Sequence, residues 1–175
     1  MIKNLIALKK IVVLTAVILS LVYSFVSVPA YAFVQSDLDK LTSTKEAPYI
    51  DLSGADLHEL DLSGAKLYGS NLSGAILYRT NLSGASLSGA DLSGASLSEA
   101  NLSGAYLQKA DLTRAYLQKA NLEGAVLYGA DLQDATLFGA NLKGAKIKGS
   151  NFEGAKLKGA NIKLVRNINL GKEKW

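Results

Sequence analysis

Residues 50–164 consist of a five-residue unit that recurs 23 times, in forms such as Ala-Asp-Leu-Ser-Gly and Ala-Asn-Leu-Ser-Gly. The third residue is Leu in 20 copies, and the first is Ala or Ser in nearly every copy. A period of five matches neither the repeat of about 3.6 residues in a helix nor the alternation of a strand. The pattern therefore requires a chain that changes direction in every unit.

Each unit combines an extended segment with a turn. In an extended segment, Leu and the Ala two residues before it share one side, and the residue between them points the other way. We therefore expect Ala55 and Leu57 to face inward and Asp56 outward. The last two residues, commonly Ser-Gly, suit a turn. One Leu and one Ala cannot form a core alone, so successive coils must stack into a solenoid.

This unit resembles that of the pentapeptide-repeat family, [Ala/Ser]-[Asp/Asn]-[Leu/Phe]-x-x, and the resemblance covers 115 of the 175 residues. The resemblance implies an all-β fold, a right-handed quadrilateral β-helix with four units in each coil. The repeat region would then form about six coils, and the rod would be roughly 28 Å long.

The N-terminal segment, residues 1–32, has the features of a secretory signal peptide. Three lysines among the first ten residues precede an apolar stretch at 11–28, and Ala30 and Ala32 form a small-x-small cleavage site that would place Phe33 at the mature N-terminus. The alternative is an uncleaved membrane anchor, since an apolar run of 18 residues is at the lower limit for spanning a bilayer. For an exported chain, the resemblance to this family implies the periplasm, the thylakoid lumen if the source is a cyanobacterium, or the extracellular space.

The segments that flank the repeat are predicted to cap its two ends. Residues 33–49 are expected to form an N-terminal cap with a short helix, in which Ser36 could be the N-cap residue. Residues 165–175 lose the repeat and are expected to form a C-terminal cap or tail. The chain has no Cys, so packing alone must hold these caps, and a disulfide or thiolate site is excluded.

With four units in each coil, the Asp and Asn residues that precede every second central residue would fall on two opposite faces. One face would carry Asp51, Asn71, Asp91, Asp111, Asp131 and Asn151; the other would carry Asp61, Asn81, Asn101, Asn121, Asn141 and Asn161, as an asparagine ladder. The stacked Asp residues could bind a cation. We favour the alternative, in which Asp and Asn bond to the backbone of each turn, because the position recurs along the whole rod.

The other two faces would display aromatic rings, which makes them the candidate protein-binding surface. The alternative is that rings stacked along a column only stabilise the sheet. The residues concerned are Tyr68, Tyr106 and Tyr128 on one face, and Tyr78, Tyr116 and Phe138 on the other.

Charge changes sign along the chain, because residues 33–140 hold 7 basic and 13 acidic residues, whereas residues 141–175 hold 9 basic and 2 acidic residues. The lysines of the second region would spread over several faces. We therefore expect them to protect the open end from end-to-end pairing rather than to form a docking patch. His58, the single histidine, is expected to be a solvated surface residue.

Three functional classes compete: a non-catalytic exported scaffold for structure or protein interaction, a DNA-mimic inhibitor of a topoisomerase (an activity known in the resembling family), and an enzyme. A DNA mimic needs an acidic surface and access to the cytoplasm, whereas the chain after residue 32 holds 16 basic and 15 acidic residues. An enzyme needs a nucleophile–base pair, a metal cluster or a cofactor motif, and none is recognisable. We expect no catalytic, metal or cofactor-binding residues, no cofactor and no nucleic-acid partner. The predicted partner is an unidentified protein, a membrane is expected only if the signal is retained, and a homo-oligomer is left open.

Overall fold

The computed structural model of the chain describes residues 35–163 and Val165. The predicted signal segment, with Ala30, Ala32 and Phe33, lies outside the described residues, as does nearly all of the predicted C-terminal cap. One α-helix, α1 (Gln35–Thr44), precedes the repeat. No helix in the described part of the chain is long and apolar enough to span a bilayer.

The β-structure consists of single-residue parallel bridges. Every bridge joins a residue to the residue 20 positions later, from Glu46 and Lys66 to Asn141 and Asn161. Twenty residues make four five-residue units, so four units complete one coil and four columns of bridging residues run along the rod. Between coils, the backbone N–H of Leu72 donates to Asp91 O at 2.7 Å, and that of Asn71 donates to Ile50 O at 2.9 Å. Each unit of an interior coil is therefore bonded to the coil before it and to the coil after it.

The core is a continuous column of central leucines with alanines between them. The central residues from Leu52 to Leu137 are 0–1% exposed, and they belong to one cluster with the alanines of the repeat. Fully burying a Leu side chain contributes about 1.5–3 kcal/mol. The inward assignment of the third residue, and of the Ala two residues before it, agrees with this arrangement.

Each unit closes with a turn in which the backbone N–H of Ala55, for example, donates to Leu52 O at 3.0 Å. The residue before that N–H has a positive φ, as the third residue of a type II turn does. This residue is Gly in most units, but Lys109 (φ 57°) and Arg114 (φ 56°) are among the exceptions. A residue with a Cβ pays about 1–2 kcal/mol in this region, so these units carry local strain that the core offsets.

We expect Lys109→Gly to stabilise the folded state by about 0.5–1 kcal/mol, because it removes the Cβ from a backbone with positive φ. The matched control is Gly104→Ala at φ 63°, where a Cβ would meet no atom within 4 Å. That change should destabilise the fold by about 1 kcal/mol through backbone strain alone. Chemical denaturation of both variants measures the difference, and equal midpoints would contradict the assignment of strain to this position.

Hydroxyl groups that replace the inward Ala are satisfied by the preceding coil. Thr80 is 0% exposed, and its Oγ1 donates to Leu57 O at 2.7 Å. The hydroxyl of Ser150 donates to Leu127 O at 2.6 Å. Among the described residues, no buried side-chain nitrogen or oxygen lacks a hydrogen-bond partner. Ser or Thr at the inward Ala position therefore leaves no unpaired polar atom in the core.

The N-terminal end differs from the prediction in two details. Helix α1 already includes Ser36, so Ser36 is not the residue before the helix, as an N-cap would be. The coil pattern begins one unit before residue 50, since Glu46 forms a bridge and Ala47 is 0% exposed in the central position. Ala in place of Leu hides this unit in the sequence. Leu41 of α1 belongs to the same core cluster and covers this end of the Leu column.

Candidate functional site

Two opposite faces carry the Asp and Asn residues. We call them the Asp column (Asp51, Asn71, Asp91, Asp111, Asp131 and Asn151) and the Asn column (Asp61, Asn81, Asn101, Asn121, Asn141 and Asn161), and together the two Asx columns. The other two faces carry the predicted aromatic residues. We call them the Tyr106 face and the Tyr116 face. Bridges order the Tyr106 face as Lys66/Tyr68, Ser86/Ser88, Tyr106/Gln108, Val126/Tyr128 and Lys146/Lys148, and the Tyr116 face as Asp56/His58, Ile76/Tyr78, Ser96/Ser98, Tyr116/Gln118, Thr136/Phe138 and Lys156/Lys158. Ten residues are half a coil, so from the Ser pairs onward the two opposite faces repeat one pattern. In both, the Ser hydroxyl, Ser88 or Ser98, donates to the Gln of the next coil at 2.8 Å.

Four of the six predicted rings are exposed. Tyr106 and Tyr116 are 49% and 51% exposed, and Tyr128 and Phe138 are each 43% exposed. On each face, the two exposed rings belong to neighbouring coils. The structure therefore brings together two pairs of accessible rings on opposite sides of the rod.

Tyr68 is half-buried because it packs against a residue that the sequence interpretation did not single out. The ring of Tyr49 lies 5.3 Å from that of Tyr68, at an interplanar angle of 89°. This edge-to-face geometry is favourable for aromatic pairs. Tyr49 itself is 75% exposed, so this pair presents a further ring at the N-terminal end of the Tyr106 face.

Tyr78 is also half-buried, within a ladder of alternating charges. The guanidinium carbon of Arg79 lies 4.8 Å from the centre of the Tyr78 ring, which is a cation–π arrangement. Arg79 Nε donates to Glu99 Oε2 at 2.9 Å, and its Nη1 lies 3.8 Å from Glu59 Oε1. The hydrogen bond from Arg79 lowers the pKa of the Glu99 carboxyl. These contacts engage Tyr78, so the exposed rings are the better candidates for binding.

The lysines of the last described coils lie on three of the four faces. They are Lys146 and Lys148 on the Tyr106 face, Lys156 and Lys158 on the Tyr116 face, and Lys143 and Lys163 beside the Asn column. Lys143 Nζ donates to Glu123 Oε1 at 3.0 Å, and this bond lowers the pKa of the Glu123 carboxyl. The other five form no ion pair with the described residues. The basic end is therefore a collar, open on the side of the Asp column.

The stacked carboxylates of the Asp column are used by the backbone. Oδ1 of Asp91, Asp111 and Asp131 accepts a hydrogen bond from the N–H two residues later, at 2.8–2.9 Å. The described residues contain no group of three or more His, Cys, Asp or Glu side chains that could hold a metal ion. The geometry therefore gives these residues the turn-bonding role that the sequence favoured.

His58 is exposed and bonded to its neighbour. Its Nδ1 lies 2.6 Å from Asp56 Oδ1, and this hydrogen bond raises the pKa of the imidazole above its usual value. The charged imidazolium is thus stabilised in the folded chain relative to the unfolded chain. Its stabilising contribution is present below the unfolded pKa of about 6.5 and is lost as the pH rises through the folded value.

We expect an NMR titration to place the His58 pKa above 6.5, and Asp56→Asn to lower it towards that value, because the amide removes the negative charge. The single histidine gives one imidazole signal to follow. As a control, Asp51→Asn on another face should leave the titration unchanged. An unshifted pKa in the parent chain would contradict the pair.

Comparison with known proteins places these features in a wider context. The family model described as pentapeptide repeats matches with 8 copies, at residues 47–74, 75–114, 105–144 and 135–163. No curated protein gives a match in a sequence search.

Solved structures give further likenesses. A pentapeptide repeat protein, Rfr23, from the cyanobacterium Cyanothece 51142 is 32% identical, covering 73% of this chain and 93% of that chain, with a TM-score of 0.38. A pentapeptide repeat protein from the Arabidopsis thaliana thylakoid lumen is 37% identical, covering 58% and 65%, with a TM-score of 0.44. QnrB1, a plasmid-mediated fluoroquinolone resistance protein, is 25% identical, covering 66% and 61%, with a TM-score of 0.54.

Proposed function

Because the chain belongs to the pentapeptide repeat family, whose proteins form right-handed β-helices, we propose that it is a non-catalytic exported scaffold that presents a rigid surface to a protein partner. The proposed organisation is a signal peptide at 1–32, an N-terminal cap at 33–49, a β-helix of about six coils at 50–164 and a C-terminal cap or tail at 165–175. Proteins of this family are generally structural or interaction proteins rather than enzymes. No cofactor and no nucleic acid enter this proposal.

The observation that carries the proposal is the display of exposed rings on a backbone bonded in every coil. Tyr106 and Tyr128 stand on the Tyr106 face at 49% and 43% exposure. Rings held on a rigid frame lose little conformational entropy on binding, and aromatic anchors dominate many interfaces. The inter-coil hydrogen bonds on both sides of Tyr106, from its own N–H to Ala85 O and from Leu107 N–H to Val126 O, hold that frame in place.

The binding role is tested by the double substitution Tyr106→Ser with Tyr128→Ser, using capture from the exported and membrane fractions of the source cells. If the rings are anchors, capture should fall by the equivalent of about 2 kcal/mol or more while the thermal midpoint stays nearly unchanged. Gln133→Ser with Glu153→Ser is the matched control, since both residues are exposed and lie beside the Asp column.

A loss of stability without a loss of capture would mean that the rings stabilise the stacked coils and do not bind a partner. In that case the midpoint should fall, at about 0.2–1 kcal/mol for each aromatic column pair, and the folded fraction should still be captured. Unchanged capture together with unchanged stability would remove both roles for these residues.

Export is tested separately, because its support is the pattern of residues 1–32. N-terminal sequencing of the exported chain should begin at Phe33, in the periplasm, the thylakoid lumen or the medium. Recovery of Met1 in the membrane fraction would instead support an uncleaved anchor.

A DNA-mimic inhibitor of a topoisomerase is the second candidate. Its support is the likeness to QnrB1, a fluoroquinolone resistance protein, at a TM-score of 0.54. The charge pattern disfavours it, since lysines occupy three faces of the last described coils and a DNA mimic needs a continuous acidic surface. Inhibition of purified topoisomerase supercoiling by the chain would favour this candidate over the exported scaffold.

A further inference from the structure

The side chains of the Tyr116 face would be complementary to those of a second Tyr116 face whose six coils run in the opposite order. Its first coil carries a carboxylate and its last carries two lysines. Its second and fifth coils carry exposed apolar groups, Ile76 and Phe138, each 43% exposed. Its third coil carries only serines and its fourth carries the ring of Tyr116.

We propose that the Tyr116 face is a docking surface for a second copy of the chain, which packs on it with its coils running in the opposite direction. This inference rests on the proposed interaction role and names one partner of that role. The two-fold axis would lie in the interface, between the levels of Ser96 and Tyr116, and would make the contact isologous. Because the axis runs along the strands, the column of Asp56 meets the same column of the second copy.

Size complementarity supports this pairing at the centre of the face. Tyr116 is 51% exposed, while the serines one coil earlier, Ser96 and Ser98, are half-buried and short. The antiparallel arrangement places each Tyr116 ring opposite Ser96 of the other copy, and each Gln118 opposite Ser98. The large side chains of each copy thus face the short serines of the other, and the two-fold axis makes this contact occur twice.

The apolar groups on either side of the centre also find matching partners. Ile76 of one copy meets Thr136 of the other, and the ring of Tyr78 meets that of Phe138. The contact would cover two exposed apolar side chains from each copy, Ile76 and Phe138. Removing apolar area from water is favourable, so the apolar groups that are exposed in a single rod supply the attraction.

Charge selects the antiparallel direction. The first coil of this face holds Asp56, with Glu59 at the adjacent corner, and Lys156 and Lys158 of the last coil make no ion pair with the described residues. Antiparallel packing places Asp56 of each copy opposite Lys156 of the other. His58, which is bonded to Asp56, then faces Lys158, and this contact requires the neutral imidazole. Parallel packing would bring four lysines together, and like charges in opposition disfavour that geometry.

The Tyr106 face is a poorer self-docking surface, although it shares the ring pattern. Its first carboxylate, Glu46, which bridges to Lys66, is bonded to Lys66 Nζ at 2.6 Å, and this lysine keeps its charge at neutral and moderately basic pH, whereas the His58 imidazole bonded to Asp56 at 2.6 Å loses its charge as the pH rises. Reversal of the coils would also press Lys66 against Val126, which desolvates a charge without a new partner. The self-docking proposal is therefore confined to the Tyr116 face, which leaves the Tyr106 face for another protein.

The contact would be small. Six coils at about 4.8 Å span about 24 Å from the first coil to the last, which places the interface below about 1,200 Å², in the range of weak and transient contacts. We therefore expect a concentration-dependent dimer rather than a permanent one. Sedimentation velocity of the exported chain, from about 1 to 500 μM, should show a monomer–dimer equilibrium that weakens as salt is raised.

Charge reversal tests the pairing of residues 56 and 156. Asp56→Lys alone and Lys156→Glu alone should each raise the dimer dissociation constant at least tenfold. The two changes in one chain should restore it to within about threefold, because the positions lie about 24 Å apart in one rod and meet only between copies. An equimolar mixture of the two single variants should also form dimers.

Cysteine cross-linking tests the direction, since the chain has no Cys of its own. Ile76→Cys mixed with Thr136→Cys should give a disulfide-linked dimer. Ile76→Cys alone should not, because two copies of that position lie three coils apart across the axis, beyond disulfide reach. Unchanged circular dichroism and thermal midpoint in each variant exclude unfolding as the cause.

Three results would overturn the proposal: a monomer throughout the concentration range, a dimer that is unaffected by charge reversal on this face, or cross-linking of the Ile76→Cys variant alone. The double substitution of Tyr106 and Tyr128 should leave self-association unchanged. Capture of another protein tests the Tyr106 face, and dimerisation tests the Tyr116 face. Each proposal can therefore fail while the other holds, and the two measurements show which one has failed.

Discussion

Leu102→Asp is expected to destabilise the fold by at least about 4 kcal/mol, because it removes a fully buried Leu and places a carboxylate in the dry column between coils. Leu102 is 0% exposed, and the buried core formed by the described residues contains no cationic side chain. A rod whose coils each depend on their neighbours cannot isolate the damage to one unit. Urea denaturation followed by circular dichroism measures the change, and we expect a largely unfolded population without denaturant.

The matched control is one residue away. Ser103 is half-buried on the outer surface, and the same position one coil later holds a natural carboxylate, Glu123. Ser103→Asp should therefore cost under about 1 kcal/mol. If the two variants unfolded at the same denaturant concentration, the assignment of the central position to the interior would be wrong.

The inside and outside of the rod could be predicted from sequence because they depend only on the alternation of an extended segment and on the period. Leu57 and Ala55 turn inward and Asp56 outward, as the pattern indicates. The 20-residue step between bridged residues then fixes which side chains share a face. The positions of Tyr106 and Tyr128 on one face follow from that step alone.

Contacts between side chains of neighbouring coils could not be predicted in the same way, since they depend on rotamers and on residues outside the repeat pattern. Tyr68 is covered by Tyr49, which stands in a unit whose central residue is Ala47 instead of Leu. Tyr78 is covered by Arg79, a residue that replaces Gly in a backbone with positive φ. A pattern that is defined by Gly and Leu gives no signal for such exceptions.

The binding partner is also beyond the sequence pattern, because the repeat specifies the frame and leaves the outward positions free. Two residues of each unit on the Tyr106 and Tyr116 faces vary without affecting the core. The signal for function is therefore the content of these positions, such as the shared order of Ser, Tyr and Lys on both faces. It becomes interpretable only when the bridges place those residues in columns.

The Asn column contains an unbroken run of side-chain bonds between coils, which the successive residues Asp91, Asp111 and Asp131 of the Asp column cannot make with one another. Asn101 Nδ2 donates to Asn81 Oδ1 at 3.1 Å, and Asn101 Oδ1 accepts from Asn121 Nδ2 at 3.3 Å and from the Ser103 N–H at 3.2 Å. Asp111, in the Asp column, accepts only the turn bond, from the Thr113 N–H at 2.8 Å. An amide both donates and accepts, whereas an ionised carboxylate only accepts, so only Asn can extend the ladder through successive coils.

We expect Asn101→Ala to cost about 2–3 kcal/mol and Asp111→Ala about 1 kcal/mol, since the first change removes three part-buried hydrogen bonds and the second removes one. Asn101→Asp should fall between them, because it keeps the two accepted bonds, loses the donated one and turns a carboxylate oxygen towards the Asn81 oxygen. Urea denaturation of the three variants under one buffer measures the order. Equal costs for Asn101→Ala and Asp111→Ala would mean that the ladder adds nothing to the turn bond, and that the two Asx columns stabilise the rod in the same way.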